Sequence, residues 1–112
     1  MGANNDFSIQ AHARGSRHTL VLTGELDLAS ATTLEARVAE LCADGASEVV
    51  LDLSGLTFID STGLRTILAG MKLCEEHQRG FWLIPGPSAV QRLFELSGLL
   101  EQLPFRAPEA SA

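Results

Sequence analysis

Glu48-Val49-Val50-Leu51-Asp52-Leu53-Ser54 runs into Gly55-Leu56-Thr57-Phe58-Ile59-Asp60 and then into Ser61-Thr62-Gly63-Leu64. The first seven residues are mostly apolar and rich in β-branching, the pattern of a central strand covered on both faces. Gly55 to Asp60 reads as a short connection, with Leu56, Phe58 and Ile59 anchoring it in the core. A helix starts near Ser61 or Thr62, and Leu64, Ile67, Leu68, Met71 and Cys74 form its buried stripe. At that start, Ser61 or Thr62 can satisfy free backbone N–H groups while Asp60 complements the helix dipole.

Working towards the N-terminus, Leu34, Val38, Leu41 and Cys42 recur at helical spacing, with Ser30 as the expected cap and Gly45 as the terminator. Gly24 to Ala29 reads as a loop. Before it, Leu20 and Leu22 alternate with Thr19, Val21 and Thr23, and Phe7, Ile9 and Ala11 alternate with Ser8, Gln10 and His12. These are two strands, and Arg14-Gly15-Ser16-Arg17 is the turn that makes them a hairpin.

Towards the C-terminus, Gly80 ends the second helical region and Phe81-Trp82-Leu83-Ile84 is a short apolar strand, with Trp82 expected to be packed. Gly86-Pro87 opens a third helix, where a missing N–H costs little. Val90, Leu93 and Phe94 face inward and Gly98 closes the helix. Leu99 to Phe105 is compatible with a short edge strand, and residues 107–112 read as a frayed tail. The predicted order is β-β-α-β-α-β-α with an optional final β: an α/β chain with a mixed sheet of four or five strands and three main helices. The whole of 1–112 reads as one domain with a core over about 7–105.

Composition restricts function. The 112 residues are 46% apolar and 20% charged, and eight Lys and Arg against fourteen Asp and Glu give a net charge of −6. A nucleic-acid binder would need a basic face, and anionic membranes would repel this balance. No apolar run approaches the ~18 residues of a membrane span. Met1 to Asp6 carries neither a secretory signal nor, with Asp6 in place of Ser or Thr, a myristoylation motif. Cys42 and Cys74 lack CxxC spacing and read as small buried hydrophobes, so a reducing, cytoplasmic location is expected.

Catalytic and metal signals are missing from the sequence. His12, His18 and His77 are scattered and show no ligand spacing, so no metal site is expected. No Gly-rich phosphate loop with its lysine and no GxSxG elbow occurs, so neither a cofactor nor an enzymatic activity is expected. What remains is Asp60-Ser61-Thr62-Gly63 at a helix start. Capping is the commoner duty of a Ser in such a place. The same geometry also exposes a hydroxyl on a rigid element, where a phosphate would add about −1.5 to −2 charges. The helix N-terminus favours that charge, while Asp60 and the acidic loop Gly24-Glu25-Leu26-Asp27 oppose it.

Three stretches carry a family resemblance: Leu22-Thr23-Gly24-Glu25-Leu26-Asp27-Leu28-Ala29-Ser30-Ala31, Val50 through Leu64, and Val90-Gln91-Arg92-Leu93-Phe94-Glu95-Leu96-Ser97-Gly98-Leu99. In this order the chain resembles a STAS domain, of the anti-sigma factor antagonist branch. The resemblance implies a non-enzymatic partner switch. An unphosphorylated antagonist binds an anti-sigma factor that is also a serine kinase and so frees a sigma factor. Phosphorylation weakens the complex, and a PP2C-type phosphatase restores it. By position the phosphoacceptor is Ser61. The implied partner surface comprises Glu25, Asp27, Asp60, Thr62, Gly63, Leu64 and Arg65. Arg65 stands where relatives often carry Gly, and is read first as a solvated helix residue. Members often carry another helix after the last strand, and none is expected here. The alternative is a cytosolic STAS accessory subunit of a membrane transport complex, a type that generally lacks an Asp-Ser-Thr-Gly phosphosite.

Overall fold

The computed structural model describes residues 7–107. Of the frayed tail expected over 107–112, residues 108–112 lie outside them, as does the N-terminal segment before Phe7. Seven elements follow in order: β1 (Ser8–Arg14), β2 (Arg17–Leu26), α1 (Leu28–Ala43), β3 (Glu48–Ile59), α2 (Ser61–Glu76), β4 (Gly80–Ile84) and α3 (Ser88–Leu96). The mixed sheet has the order β1-β2-β3-β4, with β1 antiparallel to β2 and the remaining pairs parallel. This is the expected succession of strands and helices. The final strand shrinks to one parallel bridge, Leu83 to Phe105.

Alternation places the core. Leu20 pairs with Leu51, and Leu51 with Leu83, so their side chains share one face of the sheet. Leu34, Val38 and Cys42 of α1, Leu64, Ile67 and Cys74 of α2, and Val90 and Phe94 of α3 join them in one buried cluster. Burying a side chain of this size contributes roughly 1.5–3 kcal/mol, so this face dominates the stability. The opposite face of β3 carries Val50 and Asp52. Val50 is only 5% exposed there. Near it the Arg106 guanidinium lies 4.9 Å from the Trp82 ring centroid, so Trp82 is packed as expected.

The decisive strand is longer than its pattern suggests. β3 continues through Gly55 to Ile59, where the sequence reads as a loop. Two register shifts against β2 explain the difference, one between Val21 and Thr23 and one between Gly24 and Glu25. At each, β3 spends one extra residue, as a β-bulge does. Leu51, Leu53, Leu56 and Ile59 therefore all reach the core although their spacing is two, three and three. The second bulge also turns Phe58 outward. It is 47% exposed and does not join the core as expected.

The start of α1 and the end of α2 differ from the sequence reading. Ser30 does not cap α1. Asp27 does, because β2 extends to Leu26 and its carboxylate accepts N–H bonds from Ala29 and Ser30 at 3.0 and 3.2 Å. Ser30 lies inside the helix, where its Oγ accepts the Asp27 N–H at 2.9 Å, completing a capping box. α2 ends at Glu76 rather than near Gly80, with Gln78 taking the left-handed conformation (φ 61°) that glycine usually supplies.

Candidate functional site

The paired residues Leu26 and Ile59 end adjacent parallel strands. The next residue in each chain segment, Asp27 and Asp60, caps the following helix. The Asp60 N–H donates to the Leu26 carbonyl at 3.3 Å, tying the two helix starts together. Two positive helix ends and two carboxylates thus converge at one end of the two central strands.

Asp60 adopts extended backbone (φ −115°, ψ −173°), and its Oδ1 accepts the Gly63 N–H at 2.9 Å. The capping expected of Ser61 or Thr62 therefore falls to Asp60, because the helix begins one residue earlier than a Ser cap would need. Ser61 is the first helical residue. It is exposed, and its hydroxyl makes no hydrogen bond to any described residue. A nucleophilic oxygen is left free on a fixed support.

Gly63 explains how closely that support is built. A Cβ there would run into the Leu26 carbonyl oxygen and lie 2.9 Å from Ile59 Cγ1. Only glycine lets α2 start against the end of β2. Of the other predicted contact residues, Glu25 and Arg65 are exposed, Asp27, Asp60 and Thr62 are half-buried, and Leu64 is buried. Gly63 and Leu64 shape the surface from below. Arg65 forms no ion pair with a described residue, including Asp60. The Thr62 carbonyl accepts the Thr66 hydroxyl at 3.0 Å inside the first turns of α2.

Two residues outside the predicted surface stand at the same end. Leu28, directly after the Asp27 cap, is 75% exposed, and Phe58 lies opposite Glu25 across the β2–β3 pair. Aromatic side chains such as Phe58 are enriched at interface cores, and Leu28 adds apolar area at the same end. Leu28 was missed because the sequence reads Gly24 to Ala29 as a loop, and only the Asp27 cap makes it the first residue of α1. Phe58 was missed because a bulge decides its direction. A separate groove of about 450 Å3 lies between α1 and α2, lined by residues such as Leu34, Val38, Ala69, Gly70 and Leu73, and includes neither Ser61 nor Asp27.

Among the described residues no group of three or more His, Cys, Asp and Glu could hold a metal ion. None of their helices is long and apolar enough to cross a membrane.

A family model described as Mlab, STAS domain matches residues 9–104. The chain belongs to the STAS domain family. A STAS relative from Bordetella bronchiseptica, the candidate anti-sigma factor antagonist BtrV, is 37% identical over 92 residues, covering 81% of this chain and 79% of its own. An anti-sigma factor antagonist from Mycobacterium paratuberculosis superposes with a TM-score of 0.82 at 24% identity, covering 98% of this chain and 92% of that one. The Bacillus cell fate determinant SpoIIAA, solved in its phosphorylated form, superposes with a TM-score of 0.72 at 21% identity, covering 92% and 93%. The two solved structures thus share the fold of this chain. The relatives of this STAS domain include anti-sigma factor antagonists.

Proposed function

We propose that this STAS domain is an anti-sigma factor antagonist switched by phosphorylation of Ser61. The observation that carries the reading is the division of labour at the start of α2: Asp60 caps, and Ser61 is exposed and unbonded. A phosphate on Ser61 leaves the helix hydrogen bonds intact. It adds about two negative charges to a surface that already holds Asp27 and Asp60. The fold is kept and the surface changes, which is what a reversible binding switch requires. SpoIIAA supports the reading, since that structural relative exists in a phosphorylated form.

The partner is an anti-sigma factor with serine kinase activity. It docks on Glu25, Asp27, Asp60, Thr62 and Arg65, with Leu28 and Phe58 as apolar anchors. A PP2C-type phosphatase reverses the modification, and the complex forms in the cytoplasm. The test is to incubate the protein with its cognate kinase and ATP and to locate the phosphate by mass spectrometry. Modification of the wild type at Ser61, with none on Ser61→Ala, is expected. Full phosphorylation of Ser61→Ala would overturn the assignment. The transport-accessory alternative predicts partner binding indifferent to Ser61→Asp.

A further inference from the structure

At the far ends of the same two helices, α1 and α2 bring their cysteines together. Cys42 and Cys74 are 32 residues apart in sequence, and their Sγ atoms lie 3.7 Å apart in an S–H···S contact. Both are free thiols, exposed by 1% and 0%. Arg79, just beyond the end of α2, donates from Nη2 to the Cys42 carbonyl at 3.0 Å. Its Nε is buried with no hydrogen-bond partner.

We propose that Cys42 and Cys74 form a reversible oxidation site, a crosslink between the C-terminal ends of α1 and α2. The sulfurs have only to close from 3.7 Å to the ~2.05 Å of a disulfide. Cys42 is the penultimate residue of α1, and Cys74 is two residues from the end of α2. Helix ends open locally more readily than a core strand does, which gives an oxidant its route to a buried pair.

The oxidant is a hydroperoxide, with hydrogen peroxide the simplest. One thiolate attacks a peroxide oxygen and becomes a sulfenic acid, releasing hydroxide that is protonated to water. The second thiolate attacks that sulfur and expels the sulfenic oxygen as a second water. Two thiols and one peroxide thus give one disulfide and two waters. Each sulfur gives up one electron and the peroxide takes two.

The pair is built for slow reaction. Burial, and secondarily the hydrogen bond to Cys42, push the Cys74 thiol up to about 12, while the Arg79 charge acts the other way. Reaction therefore waits for opening, and Arg79 then favours the thiolate. A thiol pair of this kind ignores brief exposure and records sustained oxidative conditions. The crosslink lies at the end of α2 opposite Ser61 and leaves that hydroxyl accessible.

The experiment treats the full-length reduced protein with excess hydrogen peroxide. It then alkylates the denatured protein and maps its tryptic peptides by mass spectrometry, with and without reductant. Expected is a 42–74 crosslinked peptide 2 Da lighter than the two thiols. A Tm rise of about 5–15 °C, reversed by dithiothreitol, should accompany it. Two alkylatable thiols after prolonged peroxide would overturn the proposal. So would sulfinic or sulfonic products without the crosslink. Neither readout depends on a variant that folds. Cys42→Ala and Cys74→Ala, where they fold, should lose the Tm rise.

Discussion

Replacing Asp60 should destabilise the protein, whereas replacing Ser61 should not. Asp60→Ala removes the 2.9 Å acceptor of the Gly63 N–H. An N-cap lost to alanine costs about 1 kcal/mol, within roughly 0.5–2. The lost negative charge at the helix start adds roughly 0.3–1. The sum is about 1.5 kcal/mol, a fall in Tm of about 6 °C for a domain of this size. Ser61→Ala removes an exposed hydroxyl with no bond to a described residue. Its cost should stay within about 0.5 kcal/mol. Asp60→Asn keeps an acceptor and loses the charge, so it should fall between. Urea unfolding measures all three, with an unchanged m-value confirming a stability effect. If Ser61→Ala lost as much as Asp60→Ala, Ser61 would be the cap and the free hydroxyl behind the proposed switch would not exist.

Ser61→Asp should weaken binding to the anti-sigma factor roughly 5- to 30-fold, about 1–2 kcal/mol, and the loss should shrink at high salt; isothermal titration at two ionic strengths checks both. Phe58→Ala and Leu28→Ala should each weaken the same complex by about 1 kcal/mol or more with Tm nearly unchanged, because both side chains are exposed. Gly63→Ala forces a methyl against the Leu26 carbonyl and Ile59 and should cost about 1–3 kcal/mol, read by urea unfolding. The raised Cys74 thiol makes the folded state hold a proton that the unfolded chain releases near its ordinary value. Stability should therefore be constant below about pH 8.5 and fall as pH rises toward about 12. The chain has no tyrosine and one lysine, so the decline should be visible, and Cys74→Ala should flatten it.

Period-two and period-three-to-four patterns made most of the fold legible. Leu20 with Leu22, the stripes of α1 and α2, and the short run from Phe81 to Ile84 all lie where their spacing puts them. The end of β3 was not legible. Leu53, Leu56 and Ile59 recur at intervals of three, which fits neither a regular strand nor a long helix. Only pairing with β2 shows that two bulges reconcile that spacing with a pleated sheet. Ser30 misled for a related reason, since its hydroxyl suits either a cap or the inner partner of a capping box. The choice is made by how far β2 extends. The segment holding Asp60, Ser61 and Gly63 was singled out by chemistry, yet which residue caps depends on one backbone bend. The cysteine encounter was invisible, because contacts between residues 32 apart have no local signature.

Because Asp27 and Asp60 follow directly on paired strand ends, the spacing of the two caps is set by the sheet, whose neighbouring strands lie about 4.8 Å apart, and not by a loop length. A protein docking there would meet a fixed gauge. On the proposed reading, a phosphate added at Ser61 would meet carboxylates whose spacing the sheet has already set, so the cost of accommodating it would fall on the partner.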